Sequence, residues 1–271
     1  MSQLKQSHTN TQTPGLNSRR KRIQNLLIVA AIIITYLISS YKTESSILRF
    51  NEEFFTNVGR MLSQMWPPNM NYASLVWPKL AETIQMAVIA TSIAAVLCVP
   101  LSLLAANNIV HNKWIYNGAK SFLNIMRTIP ELILAVIFVG LFGIGAFSGI
   151  MALIIFSLGI LAKLISETIE AIDPHQMESI QASGGNTFQV IWYAVVPQVL
   201  PQFTSFSLYV FEINIRASVV LGFVGAGGIG LLIQQQINFL NYTAAMSIVV
   251  IVFIVVIIID LISNKIREAL L

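Results

Sequence analysis

Apolar runs separated by short polar breaks follow one another along most of the chain. Residues 23–40, 86–106, 132–147, 149–168, 190–211 and 243–259 are the six clearest. The run 86–106 carries no charge, and at about 1.5 Å per residue it is long enough to cross a bilayer. Between Arg216 and Asp260 the chain again carries no charge, a gap wide enough for two spans. Gly222, Gly225, Gly227, Gly228 and Gly230 disfavour a continuous helix over its first part. The pattern therefore predicts a broken or re-entrant element over 217–233 and one span after it. Six spans place Lys265 and Arg267 on the same side as Arg19, Arg20, Lys21 and Arg22, as basic loops prefer, whereas seven would separate them. Irregular backbone at membrane depth survives only where protein or a water-filled path satisfies it, so this element points to a translocation route.

The same pattern divides the chain. Residues 1–22 read as a disordered basic tail, rich in Ser, Thr and Gln. Residues 23–41 read as the first transmembrane helix, uncleaved because the apolar part is long and no A-x-A site follows. Residues 42–79 read as an extracytoplasmic segment with a short amphipathic helix. Trp66, Pro67, Pro68, Tyr72 and Trp77 place part of it at a membrane interface. Residues 80–271 form the core. His111, Lys113 and Lys120 suit a cytoplasmic loop, and Lys163 and Glu167, four apart, pair on one helix face. The expected fold is an all-α integral membrane protein of about six transmembrane helices with both termini cytoplasmic.

One polar break carries sharper local signals than the others. In 173–201, Asp173 suits a helix N-cap, Pro174 the first helical position, and Gln176 completes a capping box. Gly184 and Gly185 supply left-handed backbone to end the helix. A helix over 174–183 is predicted, with Met177 and Ile180 on one face. Thr187 caps a second helix, in which Pro197 and Pro201 each remove a backbone donor and bend the path.

Glu178, Gly184 and Pro197 keep the E-x5-G-x12-P frame of the EAA loop, the cytoplasmic signature of ABC importer permeases. Ser179 and Ile180 stand where that motif prefers alanines, and Ala194 and Val196 replace its usual isoleucine and leucine. The flanking stretches RTIPELILAVIFVGLFGIG, GILAKLISETIEAIDP and FEINIRASVVLGFVGAGGIG resemble the phosphonate-type branch of the family. The resemblance covers residues 80–262. It implies a type I importer fold and a coupling loop at 173–189 that uses Asp173, Pro174, Glu178, Ala182, Gly184 and Pro197. It further implies a permease homodimer, a dimer of separate ABC ATPase subunits that consumes the ATP, and an extracytoplasmic substrate-binding protein. The implied cargo is phosphonate, phosphite or phosphate. The rival readings are a related importer of another solute, such as an amino acid, and a stand-alone secondary transporter. The latter calls for an inverted repeat that the sequence does not display.

Composition agrees with a membrane protein. Hydrophobic residues make up 55% and charged residues 10%, against about 25% charged in soluble domains. The basic residues form no patch interleaved with aromatics, which argues against nucleic acid. Cys98 is the single cysteine, and the three histidines lack metal-ligand spacing, so neither a metal nor a bound cofactor is expected. VGAGGIG lacks the Lys-Ser/Thr of a phosphate loop, so no ATPase site is expected in this chain. For the path or gate the candidates are Arg127, Glu131, Glu212, Asn214, Arg216, Gly225, Gly227 and Gly228. Arg127 and Glu131 are spaced to pair. Glu212, Asn214 and Arg216 are two apart and fan out around a helix, either ending the fifth span or, through Arg216, meeting an anion.

Overall fold

A computed structural model describes residues 15–42, 52–67 and 72–270. Two compact units divide at Met61 and Leu62. The first contains α1 (Gly15–Lys42), apolar over Lys21–Tyr41 and long enough to span. It starts eight residues before the predicted span, so the basic cluster extends the helix and does not belong to a disordered tail. The remainder of the predicted tail, 1–14, lies outside the described residues. Helix α2 (Glu52–Met65) crosses the unit boundary.

The second unit is a bundle of long helices: α3 (Ala73–Leu104), α4 (Lys113–Thr128), α5 (Glu131–Phe142) and α6 (Ala146–Glu170), then α7 (Pro174–Ala182), α8 (Thr187–Val190), α9 (Val196–Gly222), α10 (Gly228–Asn238) and α11 (Tyr242–Leu270). Helix α3 begins within the predicted extracytoplasmic segment, and the 79/80 division falls inside it. The rest of that segment contains α2, while 43–51 and 68–71 lie outside the described residues.

Helix α6 sits at the centre and packs on α3, α4, α5 and α9. Its closest partner, α3, buries Ala87, Ala90, Ala94 and Cys98. Their spacing of three or four puts small side chains on one stripe, which lets two helices approach closely in lipid. Outward-facing side chains are equally apolar: Val96 is 72% and Phe253 65% exposed. A surface of that kind is stable in hydrocarbon and not in water.

Among the described residues four helices are apolar and long enough to cross a membrane: α1, α3, α6 and α11. Helices α4 and α5 meet the same measure only as a pair, a broken span or a re-entrant loop bent by 85° at the break before Glu131. Pro130 causes that break, since its ring cannot continue α4. The predicted third span, 132–147, therefore stops at Phe142, and α4 replaces what reads in sequence as loop. Helix α9, with 27 residues, is about 40 Å long, enough by length alone to cross a bilayer. It carries Glu212, Asn214 and Arg216 within it and runs eleven residues beyond the predicted end at Phe211. The element predicted over 217–233 is broken, between Gly222 and Gly228.

Candidate functional site

The loop between α6 and α9 is built as its residue types dictate. Asp173 caps α7, its carboxylate accepting the His175 N–H at 3.0 Å. Pro174 occupies the first helical position, where a missing N–H costs nothing. Gln176 does not form a capping box. The box lies one helix later, where the Asn186 side chain accepts the Gln189 N–H at 2.9 Å and Gln189 accepts the Asn186 N–H at 2.8 Å. Asn186 therefore caps α8, displacing Thr187 by one position. Only Gly184 is left-handed, at φ 85°. Gly185 serves close approach, since a Cβ there would lie 2.6 Å from Ile180 Cγ2.

Met177 is the buried anchor of α7, packed with Ile165, Ile169, Val190 and Val195 while Ile180 lies alongside. Glu178 and Ala182 point away from this cluster and are exposed. The Glu178 side chain is 70% accessible. Phe188 and Trp192, on α8 and the turn after it, are also exposed and stack with centroids 6.4 Å apart. The loop thus presents polar and aromatic groups outward on a short helix clamped to the bundle from behind.

A π-turn, Ile191–Val195, joins α8 to α9 immediately before Pro197. Gln198 satisfies part of the disrupted ladder, donating to the Ala194 carbonyl at 2.9 Å and accepting the Asp173 N–H at 3.2 Å. An apolar cavity of about 160 Å³ lies beside the turn, lined in part by Val99, Ile165, Val195 and Phe203. At the root of the loop, Glu170 accepts from Lys120 at 3.1 Å and from the Asn107 N–H at 3.2 Å. These contacts tie the loop to α4, α6 and α9.

Deeper in the bundle the predicted polar residues separate. Asn214 is fully buried and donates to Thr91 of α3 at 2.9 Å and to Ser157 of α6 at 2.7 Å. Glu212 and Arg216, four apart, share another face and form an ion pair. Fanning out therefore holds for Asn214 alone, and none of the three ends the helix. Arg267 of α11 also donates to Glu212, at 3.1 Å. Glu212 is buried between the two guanidinium groups, whereas the Arg216 side chain is 55% exposed. Arg127 and Glu131 are not brought together. The 85° bend separates their helices, and among the described residues no ion pair joins them. Lys163 and Glu167 pair at 2.9 Å, as spaced.

The glycine cluster packs tightly. Gly225 accepts the Gly145 N–H at 2.9 Å, and a Cβ on Gly227 would lie 2.6 Å from the Ala146 nitrogen. The first amides of α10 are taken up by α3: Gly228 N–H donates to Glu82 at 3.1 Å and Ile229 N–H to Thr83 at 2.8 Å. Thr83, Thr91, Ser157 and Arg267 were not legible as partners. Their one signal is polarity inside or beside apolar runs, and it does not say which helix each one meets.

Residues 98–270 match the family model described as "Binding-protein-dependent transport system inner membrane component". The chain is 39% identical to a phosphate-import permease of Mycolicibacterium smegmatis over 80% of its own length, and spans 41% of that protein. It is 34% identical to a phosphite transport system permease of Stutzerimonas stutzeri, over 78% of this chain and 77% of the relative. An inward-facing structure of the MetNI methionine ABC transporter superposes with a TM-score of 0.67 and 22% identity, over 75% of this chain and 99% of that one. The likeness to MetNI is one of fold. Together with the long apolar helices and the loop geometry, these matches place the chain among the inner-membrane components of binding-protein-dependent transport systems: it is a multi-pass permease of the ABC importer family.

Proposed function

We propose that this chain is the permease of an importer for a phosphorus oxyanion: phosphonate, phosphite or phosphate. What carries the reading is the run of identity to phosphate- and phosphite-transport permeases across more than three quarters of the chain. In this reading the 173–189 loop faces the cytoplasm, as do both termini. Two copies pair in the membrane, two ATPase subunits grip the α7 loops and use the ATP, and a binding protein delivers substrate from outside. The permease itself binds no cofactor and hydrolyses nothing. Closure of the ATPases displaces α7, and the Met177 anchor and Gln198 pass that motion to α6 and α9. Glu212, Asn214 and Arg216 line or border the route, and the exposed side of Arg216 offers a guanidinium fork suited to phosphorus oxygens. Arg127, Glu131 and the glycines at 225, 227 and 228 flank it.

The test is reconstitution of the chain with the proteins that co-purify with it from its native membrane. ATP-dependent uptake of labelled methylphosphonate, phosphite or phosphate is expected. Uptake of methionine with none of these would overturn the substrate assignment. Gly184→Asp is expected to leave the protein in the membrane and abolish ATP-driven uptake, because a side chain at φ 85° strains the turn that aims α7. Normal uptake by that variant overturns the coupling role. Arg216→Gln with undiminished uptake removes the arginine from the route.

A further inference from the structure

Helix α2 carries an apolar face that the transport role leaves unused. At about 100° per residue, positions 54, 55, 58, 61, 62 and 65 fall within one sector about 120° wide. Phe55 and Leu62 on that face are 64% and 59% exposed. The far side of the helix is polar, centred on Thr56 and Ser63.

Two contacts fix where the helix ends. The hydroxyl of Thr243, in the first turn of α11, donates to the Gln64 carbonyl at 2.7 Å. Asn241, just before α11, donates to the Tyr72 hydroxyl at 3.0 Å. The last turn of α2 is therefore held at the head of a membrane-crossing helix. Trp66 follows at 71% exposure, a residue type that favours the headgroup level. In sequence α2 lies between two crossings, nine residues after α1 and seven before α3. Its sequence contains two glutamates and one arginine, so nothing in it selects anionic lipid.

From this arrangement we infer that α2 lies in the plane of the bilayer, its apolar face sunk into the headgroup–acyl boundary of the leaflet where α11 begins. Its partner is the lipid surface, and attachment depends on apolar area without help from basic charge. Through Gln64 and Thr243 the helix fixes the depth of the head of α11. The inference rests on membership of the membrane family and holds whichever solute is carried.

The experiment uses the full chain in phosphatidylcholine vesicles. Because Cys98 is fully buried, single added cysteines can be labelled selectively with an environment-sensitive fluorophore. Labels at Val58→Cys and Leu62→Cys are expected to be quenched at least threefold more by shallow spin-labelled lipid than labels at Thr56→Cys and Ser63→Cys. Adding anionic lipid is expected to leave that ratio unchanged. Equal quenching on both faces would place the helix in water and overturn the inference. Labels at 58 and 62 shielded from lipid and water alike would mean that a second copy or another protein covers the face, which also overturns it. The unsubstituted protein gives an independent readout. A photoactivatable phosphatidylcholine with its reactive group near the headgroup is expected to label peptides containing residues 54–62, and absence of label there overturns the assignment.

Discussion

Gln198 accepts the backbone N–H of Asp173 at 3.2 Å, tying the residue that caps α7 to the first turn of α9. The same side chain donates to the Ala194 carbonyl inside the π-turn at 2.9 Å. The start of α7 and the start of α9 thus share one amide, twenty-five residues apart in sequence. Gln198→Ala is expected to cost about 0.5–1.5 kcal/mol for each lost bond. It should also raise the ATP hydrolysed per solute moved, because α7 then shifts without drawing α9 along. Gln198→Glu keeps the acceptor for Asp173 and loses the donor to Ala194. Coupling restored by glutamate would assign the effect to the Asp173 bond. A wild-type ratio in both variants would remove Gln198 from the lever.

The ionic cross-brace between α9 and α11 makes a second prediction. Glu212 is buried, Arg267 is mostly so, and Arg216 is half in solvent. An exposed arm of an ion pair contributes about 0–1 kcal/mol, whereas stranding one member of a buried pair costs about 3–5 kcal/mol. Glu212→Ala is therefore expected to destabilise far more than Arg216→Ala. A thiol-reactive dye reports melting directly, since the single cysteine, Cys98, is buried in the fold. Equal melting points for the two variants would show that the brace carries no load.

The sequence pattern made the apolar crossings legible because lipid demands long runs of one kind. It read the α7 loop nearly as well, since Asp173, Pro174 and Gly184 act through local backbone chemistry that needs no distant partner. The places it misread are those decided by tertiary contact. Whether Gln176 or Gln189 completes a box depends on which turn is free to bend back. The fifth span extends past Phe211 because Glu212 and Asn214 find partners on α11, α3 and α6, and a hydropathy pattern alone ends the span at the first charge. The expected Arg127–Glu131 pair assumed a continuous helix, and Pro130 turns the chain by 85° instead.

The crossing of α9 and α10 leads to a third prediction. A Cβ on Gly230 would lie 2.9 Å from the Gly222 Cα and closer still to the Val219 carbonyl oxygen. Backbone cannot yield as a flexible side chain does, so Gly230→Ala is expected to cost at least the 1–3 kcal/mol typical of overpacking. Gly140, within α5, has nothing within 4 Å of its would-be Cβ. Gly140→Ala is expected to be neutral or to stabilise by about 0.5–1 kcal/mol, the ordinary helix preference for alanine. Opposite shifts in the dye-reported melting point are the expected result, and a Gly230→Ala protein as stable as wild type would refute the close crossing.

The Asn214 cluster separates two roles for buried polarity. Asn214 joins α9 to Thr91 and Ser157 in a region where all three side chains are buried. Asn214→Leu alone strands two hydroxyl groups and is expected to cost about 1–3 kcal/mol. The hydroxyls can turn towards carbonyls of their own helices, which holds the loss to the lower part of that range. Removing the whole set, in Thr91→Val, Ser157→Ala and Asn214→Leu together, leaves no unpaired polar atom and is expected to recover most of the stability, since exchanging every partner for apolar groups is nearly neutral. A cluster that serves only to hold the bundle would then transport normally. A cluster whose bonds must exchange as α9 moves against α3 and α6 would leave the triple variant stable but slow, with solute uptake reduced while the melting point is kept. Measuring melting and uptake on the wild type, Asn214→Leu and the triple variant decides between the two, and a triple variant less stable than Asn214→Leu would contradict the assignment of the cost to stranded hydroxyls.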